Sequence, residues 1–313
     1  MKLEGIHHIT AITGDAPRNV EFYAGTLGLR MVKKTVNQDD PTVYHLFYAD
    51  EQGSPGADLT FFEYPGAARG RAGDGQVHRI VWRVAAPEAL DFWMERLAKH
   101  DVESAERLGD RVRFSDPEGL EHELKVSDVS DAPLIADHPE VPREHALQGF
   151  DGVRAYASDP ARSEALLRET LGFRAVGGEN GEWEVRGDER GGLYAYDPPP
   201  AGVNPSQGGG SVHHIAFATQ MDEQEAWQER VAKSGNARPT PIIDRFWFRS
   251  VYFREPSGVL FELATMGPGF DTDEDIEHLG EKLTLPPRFE PMREKIEQIL
   301  TPLPNPRATE VSS

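Results

Sequence analysis

The chain begins with the stretch "GIHHITAITGDAPRNVEFYAGTLGLRMV", residues 5–32, and its outline returns as "GFDGVRAYASDPARSEALLRETLGFRAV", residues 149–176. Each copy reads as a short alternating strand, a turn with Asp and Pro, an amphipathic helix that stops at Thr-Leu-Gly, and a further strand. The two copies align without a gap over about 28 positions. Such a match indicates an internal repeat, and the repeat determines the fold.

A second pair of similar segments completes the repeat. The strand "VHRIVWRV" (77–84) resembles "VHHIAFAT" (212–219), and "RVRFSDPEGLEHEL" (111–124) resembles "SVYFREPSGVLFEL" (250–263). The last two segments predict β-hairpins around an acidic-Pro-x-Gly turn. The chain therefore contains four strand–helix–strands units, at about 5–64, 76–127, 149–197 and 211–265.

The order of these units predicts two domains and a tail. Units one and two form an N-terminal domain (1–130), and units three and four form a C-terminal domain (149–266). The segment 131–148, rich in Pro and Asp, is typical of a linker. The remaining segment, 267–313, predicts two short helices around a Pro-Pro break.

Composition excludes several classes of protein. The formal net charge of −20 opposes binding to DNA or RNA, and no apolar run reaches the roughly 18–20 residues of a membrane span. Because cysteine is absent, neither disulfides nor thiolate metal sites can form. The N-terminus lacks the features of a signal peptide, so we expect a cytoplasmic protein.

Two His-His pairs interrupt strands that would otherwise be apolar. Successive side chains of a strand point to opposite faces, so one histidine of each pair is expected to face a given cavity. His8 and His214 occupy equivalent positions in units one and four. The corresponding residues of units three and two are Gly152 and Arg79.

A glutamate joins these histidines in the repeat. Glu262 ends the last strand of unit four and has a counterpart, Glu123, in unit two. If the first strands of units one and four meet, His8 and His214 converge with Glu262 as two imidazoles and one carboxylate, the donor set of non-heme Fe(II) oxygenases. A lone strand histidine is usually a packed core residue, but equivalent positions favour metal binding. We predict one site per chain, since units two and three lack both histidines.

These motifs resemble the vicinal oxygen chelate superfamily, and more narrowly its ring-cleaving hydroquinone 1,2-dioxygenases. The resemblance covers about residues 3–300 and depends on "HHIT" (7–10), "HHIAF" (213–217) and "DRFWFRSVYFREPSGVLFELAT" (244–265). It implies an α+β fold of four βαβββ modules, paired into two vicinal-oxygen-chelate domains and followed by a helical C-terminal tail. It also implies Fe(II), or alternatively Mn(II), bound by His8, His214 and Glu262.

The same resemblance assigns further residues to the substrate pocket. Tyr252, ten positions before the glutamate ligand, matches a pocket tyrosine of the hydroquinone enzymes, and Arg245 matches an active-site arginine. Thr10, His7 and His213 match residues near the substrate. The implied reactants are a small aromatic compound, of hydroquinone or catechol type, and O2. We further expect a homo-oligomer.

Two alternatives remain open at this level. A glyoxalase-type isomerase or lyase would need a second carboxylate on the metal, and Glu63, which closes unit one, is the candidate. A metal-free resistance protein that sequesters an aromatic compound would keep the fold without the ligands.

Overall fold

The computed structural model describes residues 1–177, 181–303 and 305–307. The first two repeat units, modules one and two, each have the order βαβββ. Module one contains β1 (Ile6–Thr13), α1 (Ala16–Val20), a π-helical turn (Glu21–Thr26), β2 (Arg30–Asn37), β3 (Asp40–Ala49) and β4 (Asp58–Glu63). Module two contains β5 (Val77–Val84), α2 (Pro87–Lys99), β6 (Glu106–Leu108), β7 (Arg111–Ser115) and β8 (Glu121–Val126).

Modules three and four repeat the order, except that short 3₁₀ and π-helical turns replace the α-helix of module three. Module three contains β9 (Phe150–Tyr156), a 3₁₀ turn (Pro160–Ser163), a π-helical turn (Leu166–Thr170), β10 (Arg174–Ala175), β11 (Glu182–Arg186) and β12 (Gly191–Asp197). Module four contains β13 (Val212–Thr219), α3 (Gln224–Lys233), β14 (Ile243–Asp244), β15 (Phe248–Arg254) and β16 (Leu260–Pro268). The predicted α+β fold of four βαβββ modules is confirmed.

The strands form two eight-stranded sheets. One has the order β14-β15-β16-β13-β1-β4-β3-β2 and combines modules one and four; we call it the first cup. The other, β10-β11-β12-β9-β5-β8-β7-β6, combines modules two and three and is the second cup. Each sheet therefore joins one module from either side of the linker, and the predicted meeting of the first strands of modules one and four is confirmed by the antiparallel β1–β13 pair.

The central strand pair of each cup contains two β-bulges. The register of β1 with β13 skips His7 on one strand and His213 on the other. The register of β5 with β9 skips His78 and Asp151, which are the equivalent residues of modules two and three. A bulge breaks the strict alternation of side chains. Both histidines of a His-His pair can therefore come into contact.

The acidic-Pro-x-Gly turns connect modules that are adjacent in sequence. Asp116 accepts hydrogen bonds from two backbone N–H groups of its own turn and, at 2.9 Å, from the hydroxyl of Tyr23 in module one. Glu255 likewise accepts from a backbone N–H of its turn and, at 3.0 Å, from the hydroxyl of Tyr196 in module three. The acid of this motif is thus needed both for the turn and for packing between modules.

The tail lies against the first cup. Its helical parts are 3₁₀ turns at Phe270–Thr272, Ile276–His278 and Glu290–Met292, and α4 at Arg293–Ile299. The ring of Phe270 packs 5.1 Å from that of Phe47, and the fully buried ammonium of Lys33 donates to Asp273 at 2.9 Å. Of the two helices predicted around the Pro-Pro break, only the second is an α-helix, because acids of the first segment turn inward to pair with Lys33.

Among the described residues, no helix is both long and apolar enough to cross a membrane.

Candidate metal centre

Three neighbouring strands bring the predicted metal ligands together. His8 on β1 pairs with Ala216 on β13, and Ala216 in turn pairs with Glu262 on β16. The small, fully buried Ala216 leaves room for the imidazole and the carboxylate to approach each other over it. His214 lies two residues before Ala216 on the same face of β13. All three ligand candidates are buried, with at most 3% of the residue exposed.

The ligand atoms of these residues converge on one point. His8 Nε2 lies 3.3 Å from His214 Nε2 and 3.2 Å from Glu262 Oε2, and His214 Nε2 lies 2.8 Å from Glu262 Oε2. Nitrogen and oxygen ligands bind a divalent transition metal at about 2.1 Å, so ligands at right angles stand about 3.0 Å apart. The observed separations scatter around that value, as one face of an octahedron requires.

The carboxylate of Glu262 supports the same interpretation. Although the two imidazoles are close, neither of its oxygens accepts a hydrogen bond of acceptable geometry within the described part of the chain. Burial alone would raise the pKa of Glu262, but His8 and His214 lower that pKa well below its usual value. A buried, ionised carboxylate without hydrogen bonds is a costly arrangement unless a cation binds there.

Within the described residues, these three side chains form the one group of histidines and acids close enough to share an ion.

His7 fixes the tautomer of His8. The Nε2–H of His7 donates to the carbonyl oxygen of Thr265 at 3.1 Å, because a carbonyl can only accept. Burial, followed by the neighbouring His8, lowers the pKa of His7 to about 3, so its Nδ1 carries a lone pair. That atom accepts from His8 Nδ1–H at 2.9 Å, which leaves the lone pair of His8 Nε2 facing the ligand cluster.

His213 stands in the same relation to His214. Their Nδ1 atoms are 2.8 Å apart, and burial, followed by His214, lowers the pKa of His213 to about 4. When His214 Nε2 presents its lone pair, His214 Nδ1–H donates to the neutral His213. Both bulged histidines therefore support a ligand from behind, and neither lines the pocket above the cluster.

A small pocket opens above the cluster. It totals about 380 Å³ of space between its walls, but only about 30 Å³ can be reached by the centre of a water molecule. A cavity of about 30 Å³ has room for about two water molecules, at about 10–15 Å³ each. A larger cleft of about 1190 Å³ lies under the tail and includes none of the three ligand candidates. The pocket walls are formed by His8, Asn37, Gln38, Asp39, His45, Phe47, Phe62, His214, Arg245, Trp247, Phe248 and Tyr252.

Tyr252 and Arg245 both line this pocket. The Tyr252 ring stands edge-on to His214 with centroids 5.5 Å apart, and the Arg245 guanidinium lies 5.7 Å from the Tyr252 ring. Burial, with Glu262 adding to it, raises the pKa of Tyr252, so its phenol stays protonated. Burial would lower the pKa of Arg245, but Asp39, bound at 2.9 and 3.0 Å, and Tyr252 raise that pKa overall.

Thr10 lies behind the pocket rather than in it. Its hydroxyl is fully buried and 2.8 Å from that of Thr60, which in turn is 2.9 Å from Nε2 of His45. His45 lines the pocket, and sequence reasoning did not single it out. A single histidine in a strand carries no signal of function, and only the three-dimensional placement shows its position.

Glu63 is engaged elsewhere. Its Oε1 accepts from the backbone N–H of Ala16 at 3.1 Å, at the start of α1. Glu63 also does not occupy the position equivalent to Glu262. Thr10 of β1 is equivalent to Ala216 of β13, and since Thr10 pairs with Thr60 as Ala216 pairs with Glu262, that position belongs to Thr60. The fourth ligand that a glyoxalase-type site needs is therefore not supplied by Glu63.

Comparison with known proteins identifies the family. The family model described as the Glyoxalase/Bleomycin resistance protein/Dioxygenase superfamily matches residues 5–124 and 149–263. The chain belongs to this superfamily. Its two matched segments contain the four modules and all three ligand candidates.

Relatives within the superfamily are named as dioxygenases. MhqO of Bacillus subtilis (strain 168), provisionally named a ring-cleaving dioxygenase, is 42% identical over 306 residues, 96% of this chain and 97% of that protein. The chlorohydroquinone/hydroquinone 1,2-dioxygenase of Sphingobium indicum is 32% identical over 318 residues, 94% and 95% of the two chains.

A solved structure agrees over nearly the whole chain. The crystal structure of a Bacillus subtilis protein, provisionally named a dioxygenase, superposes with a TM-score of 0.88 at 41% identity and covers 96% of this chain and 98% of that one. The resemblance drawn from the motifs is therefore confirmed at the level of the superfamily and its ring-cleaving dioxygenases.

Proposed function

We propose that the protein is an Fe(II)-dependent dioxygenase that cleaves the ring of a hydroquinone. The observation that carries the proposal is the convergence of two imidazole nitrogens and one carboxylate oxygen, 2.8–3.3 Å apart, at the base of a pocket with aromatic walls. The relative from Sphingobium indicum, whose name includes chlorohydroquinone and hydroquinone, supports the choice of substrate class. Mn(II) is the alternative metal, since the donor set suits both ions.

The donor set is suited to this chemistry. His8, His214 and Glu262 would bind the ion on one face, and an Fe(II) ion there would offer its free positions to a substrate oxygen and O2 and act as Lewis acid and template. His7 and His213 keep the two ligand imidazoles in the tautomer that presents Nε2. Phe248 packs 5.3 Å from the His8 ring and limits its rotation.

Tyr252 and Arg245 would act on the substrate side. The raised pKa of Tyr252 keeps its phenol protonated near neutral pH, so the phenol can donate a hydrogen bond to an oxygen of the substrate or of O2. The permanent charge of Arg245 offsets the negative charge that develops during the reaction. Both side chains are on module four, where the Tyr252 ring contacts His214 and the Arg245 guanidinium lies beside Tyr252.

The pocket walls favour a flat aromatic ring. Phe47, Phe62, Trp247 and Phe248 provide apolar faces against which an aromatic substrate can stack. Since the open interior is only about 30 Å³, a ring enters only when part of the wall moves. The proposed reaction opens the bond between a hydroxyl-bearing ring carbon and its non-hydroxylated neighbour.

Oxygen consumption tests the proposal. Protein loaded anaerobically with Fe(II) and ascorbate is mixed with O2 and methylhydroquinone, catechol or the methylglyoxal–glutathione adduct. We expect O2 uptake with methylhydroquinone and a ring-opened product that retains both atoms of ¹⁸O2. Isomerisation of the glutathione adduct without O2 uptake would instead identify a glyoxalase-type enzyme, and tight binding of the aromatic compound without turnover would identify a sequestering protein.

A further inference from the structure

His45 is the pocket residue whose role the site described so far leaves open. It lies on β3 in module one, whereas Tyr252 and Arg245 line the same pocket from module four. Module four has no equivalent histidine. His45 pairs with Phe62 on the neighbouring strand, and the equivalent strand pair of module four is Ser250 with Ala264, so Ser250 is the counterpart of His45. The residue is thus particular to one wall of the first cup.

Neighbouring side chains hold the His45 ring in one orientation. Its centroid is 4.0 Å from that of Phe47 and 4.3 Å from that of Phe62. Its Nε2 bonds to the hydroxyl of Thr60 at 2.9 Å, and that hydroxyl bonds to Thr10 at 2.8 Å. A side chain that only filled space would not need two aromatic rings and a buried chain of hydroxyl groups to fix its orientation.

The other nitrogen of His45 is accessible, on a ring that lines the pocket. Within the described residues Nδ1 makes no hydrogen bond. It is also absent from the set of polar atoms that are buried without a partner, so it remains accessible. Burial, followed by the charges of His8, His214 and Arg245, lowers the pKa of His45 well below its usual value. The ring is therefore neutral, with one nitrogen donating and the other accepting.

The hydroxyl chain allows either nitrogen to carry the proton. If Thr10 donates to Thr60 and Thr60 donates to Nε2, then Nδ1–H points into the pocket as a donor. If the two hydroxyls turn round, Nε2–H donates to Thr60, and Nδ1 presents a lone pair. His45 can thus bond to a hydroxyl or to a deprotonated oxygen without any change of net charge.

We propose that His45 binds the ring hydroxyl of the substrate that does not lie at the metal, and so selects 1,4-dihydroxybenzenes over simple phenols. This inference rests on the proposed function. Tyr252 stands 5.5 Å from the ring of the ligand His214 and is therefore at the metal end of the pocket. The His45 ring makes no ring contact with either ligand imidazole within the described residues and packs against Phe47 and Phe62 instead, so we assign it to the part of the pocket away from the ion.

Anaerobic calorimetry of the Fe(II)-loaded protein tests the proposal without turnover. Hydroquinone and phenol differ by the hydroxyl in question, and a neutral hydrogen bond corresponds to about tenfold in affinity. We expect the wild type to bind hydroquinone about tenfold more tightly than phenol. His45→Leu should bind both within about twofold, with its affinity for phenol unchanged, and the hydrogen-bonding variant His45→Gln should recover most of the preference.

Several outcomes would overturn the proposal. A His45→Leu variant that keeps the tenfold preference, or that loses both ligands equally, shows that His45 has no specific role at the hydroxyl. A wild type that does not discriminate between the ligands overturns it as well. Iron content and thermal unfolding verify that each variant is folded and loaded. A wild type that discriminates in this way but consumes no O2 with any hydroquinone would contradict the proposed function alone.

Discussion

The two cups have the same strand order and bulges at the same positions, but opposite chemistry at their centres. In the first cup the carboxylate of Glu262 faces two imidazoles and accepts no hydrogen bond within the described residues. In the second cup the equivalent carboxylate, Glu123, is equally buried but accepts from Arg111 at 2.7 Å and from Arg113 at 2.6 Å. Imidazoles leave lone pairs for a cation, whereas guanidinium groups already supply the positive charge.

A glycine adds a steric difference between the cups. Gly152 occupies the position equivalent to His8, and a Cβ there would lie 2.3 Å from the backbone oxygen of Leu193. No side chain fits unless β12 moves. The scaffold therefore supplies four equivalent positions, and the cluster of three ligand candidates forms only where both histidines and the space for them are present.

Removing a first-cup ligand should have the largest effect. His214→Ala should reduce iron from one ion per chain to nearly none, and O2 consumption should fall at least about 10³-fold, because a metal stabilises the transition state by several kcal/mol. Metal analysis and oxygen electrode measurements verify this. Glu123→Gln is the matched control in the second cup and should retain one ion. A measured content of two ions per wild-type chain would show that both cups bind metal and would contradict the prediction.

A side chain at the second-cup glycine should destabilise the fold. Gly152→Ala should lower the free energy of unfolding by about 1–3 kcal/mol, because the new methyl group meets backbone and not a movable side chain. Urea denaturation measures the loss, and iron content should be unchanged. Gly25→Ala, where nothing lies within 4 Å of the new Cβ, is the control and should be neutral or slightly stabilising. Equal effects of the two changes would refute the steric argument.

Replacing the second-cup carboxylate should cost somewhat less. Glu123→Gln leaves the guanidinium groups of Arg111 and Arg113 without their anion, but both are partly exposed and can turn to water. We expect a loss of about 1–2 kcal/mol in the free energy of unfolding. If the variant instead gained a second metal ion, the guanidinium groups beside this position would not be the feature that separates the cups.

Acid should weaken both cups, because burial also lowers the pKa of the second-cup His122 to about 3, but the histidines and Glu121 should lose their contributions in different pH ranges. Since the pKa values of His7 and His213 fall from 6.5 to about 3 and about 4, the unfolded chain binds more protons, and the first cup loses stability as the pH falls from 6.5. Hydrogen bonds from His78 and Arg79 lower the pKa of Glu121 in the second cup from 4.5 to about 2, so its contribution is lost only below pH 4.5.

Denaturation of the metal-free protein between pH 7 and 5 separates these contributions. His213→Asn should flatten the slope of unfolding free energy against pH, whereas Glu121→Gln should leave it unchanged in this range. If Glu121→Gln changed this slope between pH 7 and 5 and His213→Asn did not, the acid response in this range would have to be assigned to Glu121.

The smallest effect is expected at the mouth of the first cup. Asp39 is exposed and pairs with Arg245, and Gln38 donates to the backbone oxygen of Arg245 at 2.6 Å, so the β2–β3 turn is tied across the pocket entrance. Asp39→Asn should change kcat/KM for hydroquinone by only a few fold, since an exposed ion pair contributes about 0–1 kcal/mol. Steady-state kinetics at low and high salt measure this change, and salt should mimic the substitution in the wild type.

The repeat made much of this architecture predictable from sequence. Equivalent positions alone indicated His8 and His214 as candidate ligands, and the shared turn motif placed Glu262 on the last strand of module four, beside β13. Register could not be predicted, because a bulge adds one residue without any compositional mark, and it is the bulges that let His7 and His213 reach their neighbours. A single sequence also gives no indication of which side chains contact each other across strands, as His45 and Thr60 do.

The crossed pairing of modules also sets the order in which the protein can be made. His8 leaves the ribosome early and Glu262 near the end, so at about 5–20 residues per second the first histidine waits on the order of tens of seconds for its partners. The second cup, built from consecutive modules, can close during this interval. The three ligand candidates therefore cannot come together until synthesis is almost complete, and the second cup can serve as the template on which the ends of the chain assemble.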